Sequence, residues 1–179
     1  MNLADERILD ELLDEAESRR YGDEPVGELE HALQTAHHAR EAGAGDELVL
    51  AAALHDVGRL SCARRRATVH AHEYAGAAFV HRAVSLHAAR VVAAHVNAKR
   101  YLVAVEPEYR ARLSPASLRS LEKQGGALDE RSAARFEQLP WARDALALRR
   151  WDDAAKMPGG AQLEVDELVH IFARFHGRG

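Results

Sequence analysis

An imidazole and a carboxylate stand side by side at His55-Asp56, inside the apolar run from Leu50 to Gly58. Burying such a pair costs free energy unless something satisfies it, and a metal cation satisfies both groups. Further candidate ligands lie along the chain: His31, His72, His95 and Asp152. Together these residues suffice for two divalent cations, with Asp56 as the bridge that lowers their mutual repulsion. The donors are nitrogen and oxygen without thiolate. That suits iron, manganese, cobalt or zinc and argues against a structural zinc site. His31, His55-Asp56, His72 and His95 fall on four successive segments of helical pattern, which can converge on one interior point.

Two further pairs bring charge toward the same place. His95 and Lys99 are four apart and share a helix face, and Arg149 and Asp152 are three apart and do the same. A lysine beside a metal-bound histidine is repelled unless an anion intervenes. If both pairs face the site, two cations ring two metals and the substrate should be strongly anionic: phosphonate, phosphate or carboxylate. Taken singly, Lys99 reads first as a solvated surface cation, and Arg149–Asp152 reads also as a simple intrahelical ion pair. His37, His38, His70, His81, His87, His170 and His176 read as ordinary core or surface histidines.

The elements that must position these groups are helical. Alanine, leucine, glutamate and arginine dominate, all good helix formers, and no alternating strand pattern of useful length occurs. Leu3, Ile8, Leu9, Leu12, Leu13 and Ala16 form the stripe of an amphipathic helix over 3–19. A second helix is predicted over 26–42. Ala44-Gly45-Asp46 reads as a turn ending in a cap, and a third, largely apolar helix should then run centrally to about Gly58. Arg59–Ala67, with Arg64, Arg65 and Arg66, reads as a basic loop, followed by helices at about 69–83 and 86–103. Ser114-Pro115 opens another helix that Gln124-Gly125-Gly126 ends. Asp129 caps a short helix to about Gln138, Pro140 opens one reaching Trp151-Asp152, Met157-Pro158-Gly159-Gly160 is a loop, and 163–176 is a final amphipathic helix. The expectation is an all-α single domain over 1–179, with a core of about 21–158 and a C-terminal loop and helix at 159–179.

Bulk properties narrow the function classes. The chain has 179 residues, 47% hydrophobic and 29% charged, which fits one domain with a sizeable core. A net charge of −4 leaves no expected nucleic-acid footprint. No apolar run is long enough to span a membrane, and the N-terminus lacks the pattern of a signal peptide. The lone Cys62 suits a reducing cytoplasm. Oligomeric state is left open by the sequence.

The order His…His-Asp…His…His…Asp resembles the HD-domain superfamily, metal-dependent helical bundles of which most are phosphohydrolases. Longer motifs resemble its organophosphonate-cleaving di-iron oxygenase branch. These are Tyr21-x-x-Glu24 ahead of Leu29-Glu30-His31; His55-Asp56-Val57-Gly58; His72-Glu73 with Gly76-Ala77; His95-Val96-x-Ala98-Lys99-Arg100-Tyr101-Leu102; Leu113-Ser114-x-Ala116-Ser117; Gln124-Gly125-Gly126; and Arg149-x-Trp151-Asp152. The motifs around Lys99 and Gln124 are far more specific than the His-Asp pair.

The resemblance implies a mixed-valence Fe(II)/Fe(III) centre that uses dioxygen as co-substrate. His31, His55, Asp56 and Asp152 would hold one iron, and Asp56, His72 and His95 the other. Lys99, Ser117 and Arg149 resemble the groups that hold the phosphonate, with Gln124 in the same polar neighbourhood. Tyr21 and Glu24 resemble a mobile pair, the tyrosine occupying the second iron until substrate arrives and the glutamate meeting the substrate's ammonium end. The implied reaction is oxygen-dependent cleavage of the carbon–phosphorus bond of a 1-hydroxy-2-(amino or trimethylammonio)ethylphosphonate. It gives phosphate and glycine or glycine betaine, and the partner is thus a small organophosphonate. Arg59 departs from the pattern, since relatives carry a histidine near this position; it either contacts the phosphonate or points into solvent. The alternative activity is a divalent-metal phosphohydrolase acting on a nucleotide or phosphate monoester, and a non-catalytic binding module ranks below both.

Overall fold

The computed structural model describes residues 3–64 and 71–176. In chain order its helices are α1 (Leu3–Glu17), α2 (Glu28–Glu41), α3 (Asp46–Ala53), α4 (Ser61–Arg64), α5 (His72–Ala83), α6 (Leu86–Val105), α7 (Tyr109–Arg112), α8 (Pro115–Lys123), α9 (Glu130–Glu137), α10 (Ala142–Ala154) and α11 (Val165–His176), with a 3₁₀ turn at Val57–Arg59. Among the described residues the extended structure is one isolated bridge, Arg20 to Gly27. The all-α expectation holds, and no described helix is long and apolar enough to cross a membrane.

α3 is central because Val49, Leu50, Ala51 and Ala52 have no exposed surface at all. α2, α6, α10 and α11 pack against it, α5 lies on α6 and on the 3₁₀ turn, and α5–α6 and α6–α10 are the most extensive helix pairs. Alanines at the contacts (Ala36, Ala39, Ala88, Ala98, Ala145) let the helices approach closely. Leu168, Ile171 and Phe172 of α11 enter the same core cluster as Leu9, Leu50 and Val91. Each such buried side chain contributes about 1.5–3 kcal/mol.

Three helix starts carry side-chain caps, two of them predicted (Ser114 and Asp129) and one, Ser85, not. Ser85, Ser114 and Asp129 accept hydrogen bonds from the backbone N–H of Ala88, Ser117 and Ser132 at 3.0, 3.0 and 2.8 Å. The Gln124-Gly125-Gly126 stop is also as expected, with both glycines at positive φ (93° and 71°). Arg100 locks this turn by donating Nε to the Gly126 carbonyl at 2.8 Å.

Several expectations need correction. Asp46 opens α3 rather than capping it; its carboxylate pairs with Arg40 (3.2 Å) and Arg174 (2.6 Å) instead. α3 stops at Ala53, not near Gly58, so the His-Asp pair lies on a turn and not on the helix. Adjacent helical residues diverge by about 100°, whereas the turn aims both side chains at one point. Gly58 explains the stop: a Cβ there would lie 1.9 Å from the His72 carbonyl oxygen and 2.5 Å from the Gly76 nitrogen, so the 3₁₀ turn and α5 pack backbone to backbone. The predicted basic loop over Arg59–Ala67 holds α4 instead at Ser61–Arg64; Arg65, Arg66, Ala67 and His70 lie outside the described residues.

Candidate metal centre

The turn after α3, the C-terminal half of α10 and one residue each from α2, α5 and α6 bring all six predicted ligands together. His31, His55 and Asp56 form one group whose ligand atoms lie within 4.8 Å of one another, and Asp56, His72 and His95 form a second. Asp56 belongs to both. Its Oδ2 lies 3.5 Å from His55 Nε2, and its Oδ1 lies 3.1 Å from His72 Nε2 and 3.7 Å from His95 Nε2. Asp152 joins the first group, Oδ1 at 3.5 Å from His31 Nε2 and Oδ2 at 3.9 Å from His55 Nε2. The Nε2 atoms of His31 and His55 are 3.3 Å apart, as are those of His72 and His95. Adjacent ligands on a divalent ion with bonds of about 2.1 Å stand roughly 3 Å apart, so this spacing suits cations at the two centres.

The far side of each ring is already committed. Nδ1 of His31, His55 and His95 bonds the carbonyls of Ala155 (2.6 Å), Ala52 (2.8 Å) and Val92 (2.7 Å). His72 Nδ1 lies 3.2 Å from the Glu73 carboxylate. Such partners select the tautomer that leaves Nε2 as a lone-pair donor facing inward. Burial is the main cause that lowers His31 and His95 to about 3, keeping both neutral. Burial opposes charge on Asp56 and Asp152 as well, but neighbouring positive charge overcomes it, Arg59 at Asp56 and Arg149 with Lys156 at Asp152. Both carboxyls sit well below their usual range. Asp56 Oδ1 and Asp152 Oδ1 are buried with no hydrogen-bond partner. Neutral imidazoles, ionised carboxylates and orphaned oxygens fit a metal better than they fit an apolar core.

On one side of the ligands lies a cavity of about 170 Å³, lined by Tyr21, Glu24, Arg59, Lys99, Ser117, Gln124 and Arg149 with the ligands Asp56, His72, His95 and Asp152. Every residue predicted to meet the substrate is on its wall. Tyr21 and Glu24 are 6% and 8% exposed, so the segment between α1 and α2 is a packed loop and not a loose linker. The Tyr21 N–H to Val26 carbonyl bond (3.1 Å) closes it. The Tyr21 ring stacks on His31 at 3.8 Å, and its hydroxyl donates to Asp56 Oδ2 at 2.7 Å. Burial, then Asp56 and Asp152, hold this phenol well above its usual range, so it remains a donor.

Arg59 turns inward: Nε is 3.0 Å from Asp56 Oδ2 and the guanidinium carbon is 4.8 Å from the centre of the Tyr21 ring. Lys99 donates to Ser120 Oγ at 2.6 Å, and burial, then Arg149, lower its ammonium to about 7. Arg149 donates Nη1 to Asp152 Oδ2 (2.6 Å) and Nε to the Tyr109 hydroxyl (3.0 Å), and it clasps Asp153. Gln124 presents a buried Oε1 with no partner, an acceptor for a substrate donor.

Sequence reasoning missed Ser114, Ser120, Asp153, Tyr109 and Lys156. Ser114 donates to the Glu24 carboxylate while capping α8. Asp153 and Lys156 carried a readable signal, since they lie four residues beyond Arg149 and Asp152. Tyr109 and Ser120 carried none. None of His37, His38, His81, His87 and His170 joins either ligand group.

A helical bundle with a shared-carboxylate cluster opening on a cation-lined cavity has the donor set of a metal site and the charge to receive a small anion. No protein-family model matches the chain. Among curated proteins, a hydroxymethylphosphonate dioxygenase of Gimesia maris is 42% identical over 156 residues, covering 82% of this chain and 74% of that protein. The glycine-betaine-forming [1-hydroxy-2-(trimethylamino)ethyl]phosphonate dioxygenase of Leisingera caerulea is 35% identical over 165 residues, covering 89% and 83%. The chain belongs to the organophosphonate dioxygenase family, the branch its motifs resemble, and is an oxidoreductase.

Proposed function

We propose that this protein uses dioxygen to break the carbon–phosphorus bond of a 1-hydroxyalkylphosphonate, the 2-amino and 2-trimethylammonio ethyl compounds included. The observation that carries the reading is the juxtaposition of the two ligand groups sharing Asp56 with the wall of Lys99, Ser117, Arg149 and Gln124. Relatives named for this chemistry support it. The balance is R–CH(OH)–PO₃H₂ + O₂ → R–COOH + H₃PO₄. The C–P bond and the carbinol C–H bond break, dioxygen takes four electrons, and both its atoms end in products.

His31, His55, Asp56 and Asp152 would hold one iron and Asp56, His72 and His95 the second. Bound iron would supply Lewis acidity toward the substrate oxygens and the redox capacity that dioxygen requires. The remaining work belongs to the chain. Lys99 and Arg149 place positive charge where the phosphonate docks, and Ser117 adds a hydroxyl. Arg149 is held rigid by Asp152, Asp153 and Tyr109, so its orientation is set before substrate arrives. Tyr21 must leave Asp56 if it is to make way for substrate, and Glu24 faces the substrate's far end. The stacked Tyr21 ring covers the His31 side of the ligands.

The test is phosphate release from iron-loaded protein given hydroxymethylphosphonate or 1-hydroxy-2-aminoethylphosphonate, with dioxygen uptake followed in parallel. One dioxygen consumed per phosphate, and no release after chelation or under argon, is the expected result. Phosphate release indifferent to oxygen would overturn the proposal in favour of a metal-dependent phosphohydrolase.

A further inference from the structure

We propose that Lys156 is a positioning residue that sets the preference between ammonium-bearing and ammonium-free phosphonates, acting through Glu24. The inference rests on the phosphonate reading above. Lys156 is fixed from both sides. The carbonyl of Ala155 accepts the His31 Nδ1 bond at 2.6 Å, and Gln34 clamps Met157 by two bonds, Nε2 to its carbonyl (2.6 Å) and Oε1 from its N–H (3.2 Å). The side chain, 11% exposed, stands behind the cavity wall. Its ammonium is 3.0 Å from Ser117 Oγ, 3.5 Å from Asp152 Oδ1, 3.7 Å from Asp153 Oδ1 and 3.8 Å from Glu24 Oε1. Glu24, Ser117 and Asp152 all face the cavity.

A carboxylate attracts a substrate ammonium with the charge its own protein partners leave uncompensated. Here Ser114 donates to Glu24 Oε1 and Lys156 sets a positive charge behind it. Arg59, Lys99 and Arg149 are spoken for elsewhere, at Asp56, Ser120 and Asp152 with Asp153. Lys156 therefore mutes Glu24 and keeps the protein open to substrates with no ammonium at all. Its second effect, extra positive charge near Ser117, helps the phosphonate end of every substrate alike and cancels in a ratio.

The experiment compares wild type, Lys156→Met, Lys156→Arg, Glu24→Gln and the Glu24→Gln/Lys156→Met double variant, all iron-loaded with metal content checked. Under argon, calorimetry measures affinity for 2-aminoethylphosphonate and for ethylphosphonate, which differ in the ammonium. In air, kcat/KM is compared for 1-hydroxy-2-aminoethylphosphonate and hydroxymethylphosphonate. Lys156→Met is expected to raise both ammonium-to-neutral ratios about tenfold, the scale of one charge-assisted contact, and Lys156→Arg to leave them near wild type. In the Glu24→Gln background, Lys156→Met should leave the ratios unmoved. Equal losses for both ligands, or a ratio that shifts just as much without Glu24, would overturn the proposal. A wild type that releases phosphate from neither substrate would sink the phosphonate reading instead, while the argon measurements still decide the role of Lys156.

Discussion

Gly58→Ala is the substitution through which packing and chemistry can be separated most cleanly, because Gly58 touches no ligand atom and yet positions two ligands. Its added Cβ would sit 1.9 Å from the His72 carbonyl and 2.5 Å from the Gly76 nitrogen, both backbone atoms that no rotamer change can move. Bringing the first contact out to 3.0 Å needs the start of α5 to retreat by about 1.1 Å. Metal sites hold their ligand distances within about 0.2 Å, so His72 leaves the second group while His31, His55 and Asp152 stay. The backbone clash belongs at the upper end of overpacking costs, about 3 kcal/mol, and lowers the melting temperature of a chain this size by about 6–12 °C. Metal analysis should show a loss of close to one ion relative to wild type, with helical circular dichroism retained at 20 °C. Gly76→Ala is the control. Its Cβ comes no nearer than 3.2 Å to the Gly58 nitrogen, so its effect is smaller on both readouts. Gly58→Ala protein with wild-type metal content and an unshifted melt would refute the claim that this backbone contact sets the site.

Two further outcomes follow from charge. Lys99 is charged below about pH 7 and loses its proton as pH rises through that value. KM for the phosphonate should therefore climb on the alkaline side, and Lys99→Arg should flatten that climb relative to wild type; parallel profiles would remove Lys99 from phosphonate binding. Glu15 accepts from the backbone N–H of Ser61 (2.7 Å) and Cys62 (3.2 Å) at the start of α4; burial raises its pKa, but these bonds and the Ser61 hydroxyl prevail and lower it to about 2. A depressed carboxyl stabilises the fold above its ordinary pKa of about 4.5 and loses that contribution as pH falls toward 2. Glu15→Gln is expected to cost about 1 kcal/mol near neutrality and little at pH 2. An equal loss at both pH values in denaturant titrations would contradict the capping role.

Residue types and local spacing alone determined a good deal. Helix-forming composition and apolar stripes specify an all-α chain. The pairs His95–Lys99 and Arg149–Asp152 are legible because residues three and four apart on a helix always share a face. Ser85 was not singled out in advance, yet with Ser114 and Asp129 it obeys the same local rule, a short polar side chain reaching a backbone N–H three residues on. Contacts across elements were decided only by the tertiary structure. α3 was expected to reach Gly58, and its end at Ala53 depends on α5 pressing its backbone onto Gly58, a partner fourteen or more residues away. Asp56 was readable as the bridge from residue types, but the turn that this early stop creates is what lets its two oxygens face both ligand groups. The inward pairing of Arg59 with Asp56 and Tyr21 depends on where the 18–27 loop closes, and the placement of Lys156 behind Glu24 depends on Gln34 and His31 gripping its neighbours. Period and propensity act over one helical turn, whereas these distances are set by the angles at which separate helices meet.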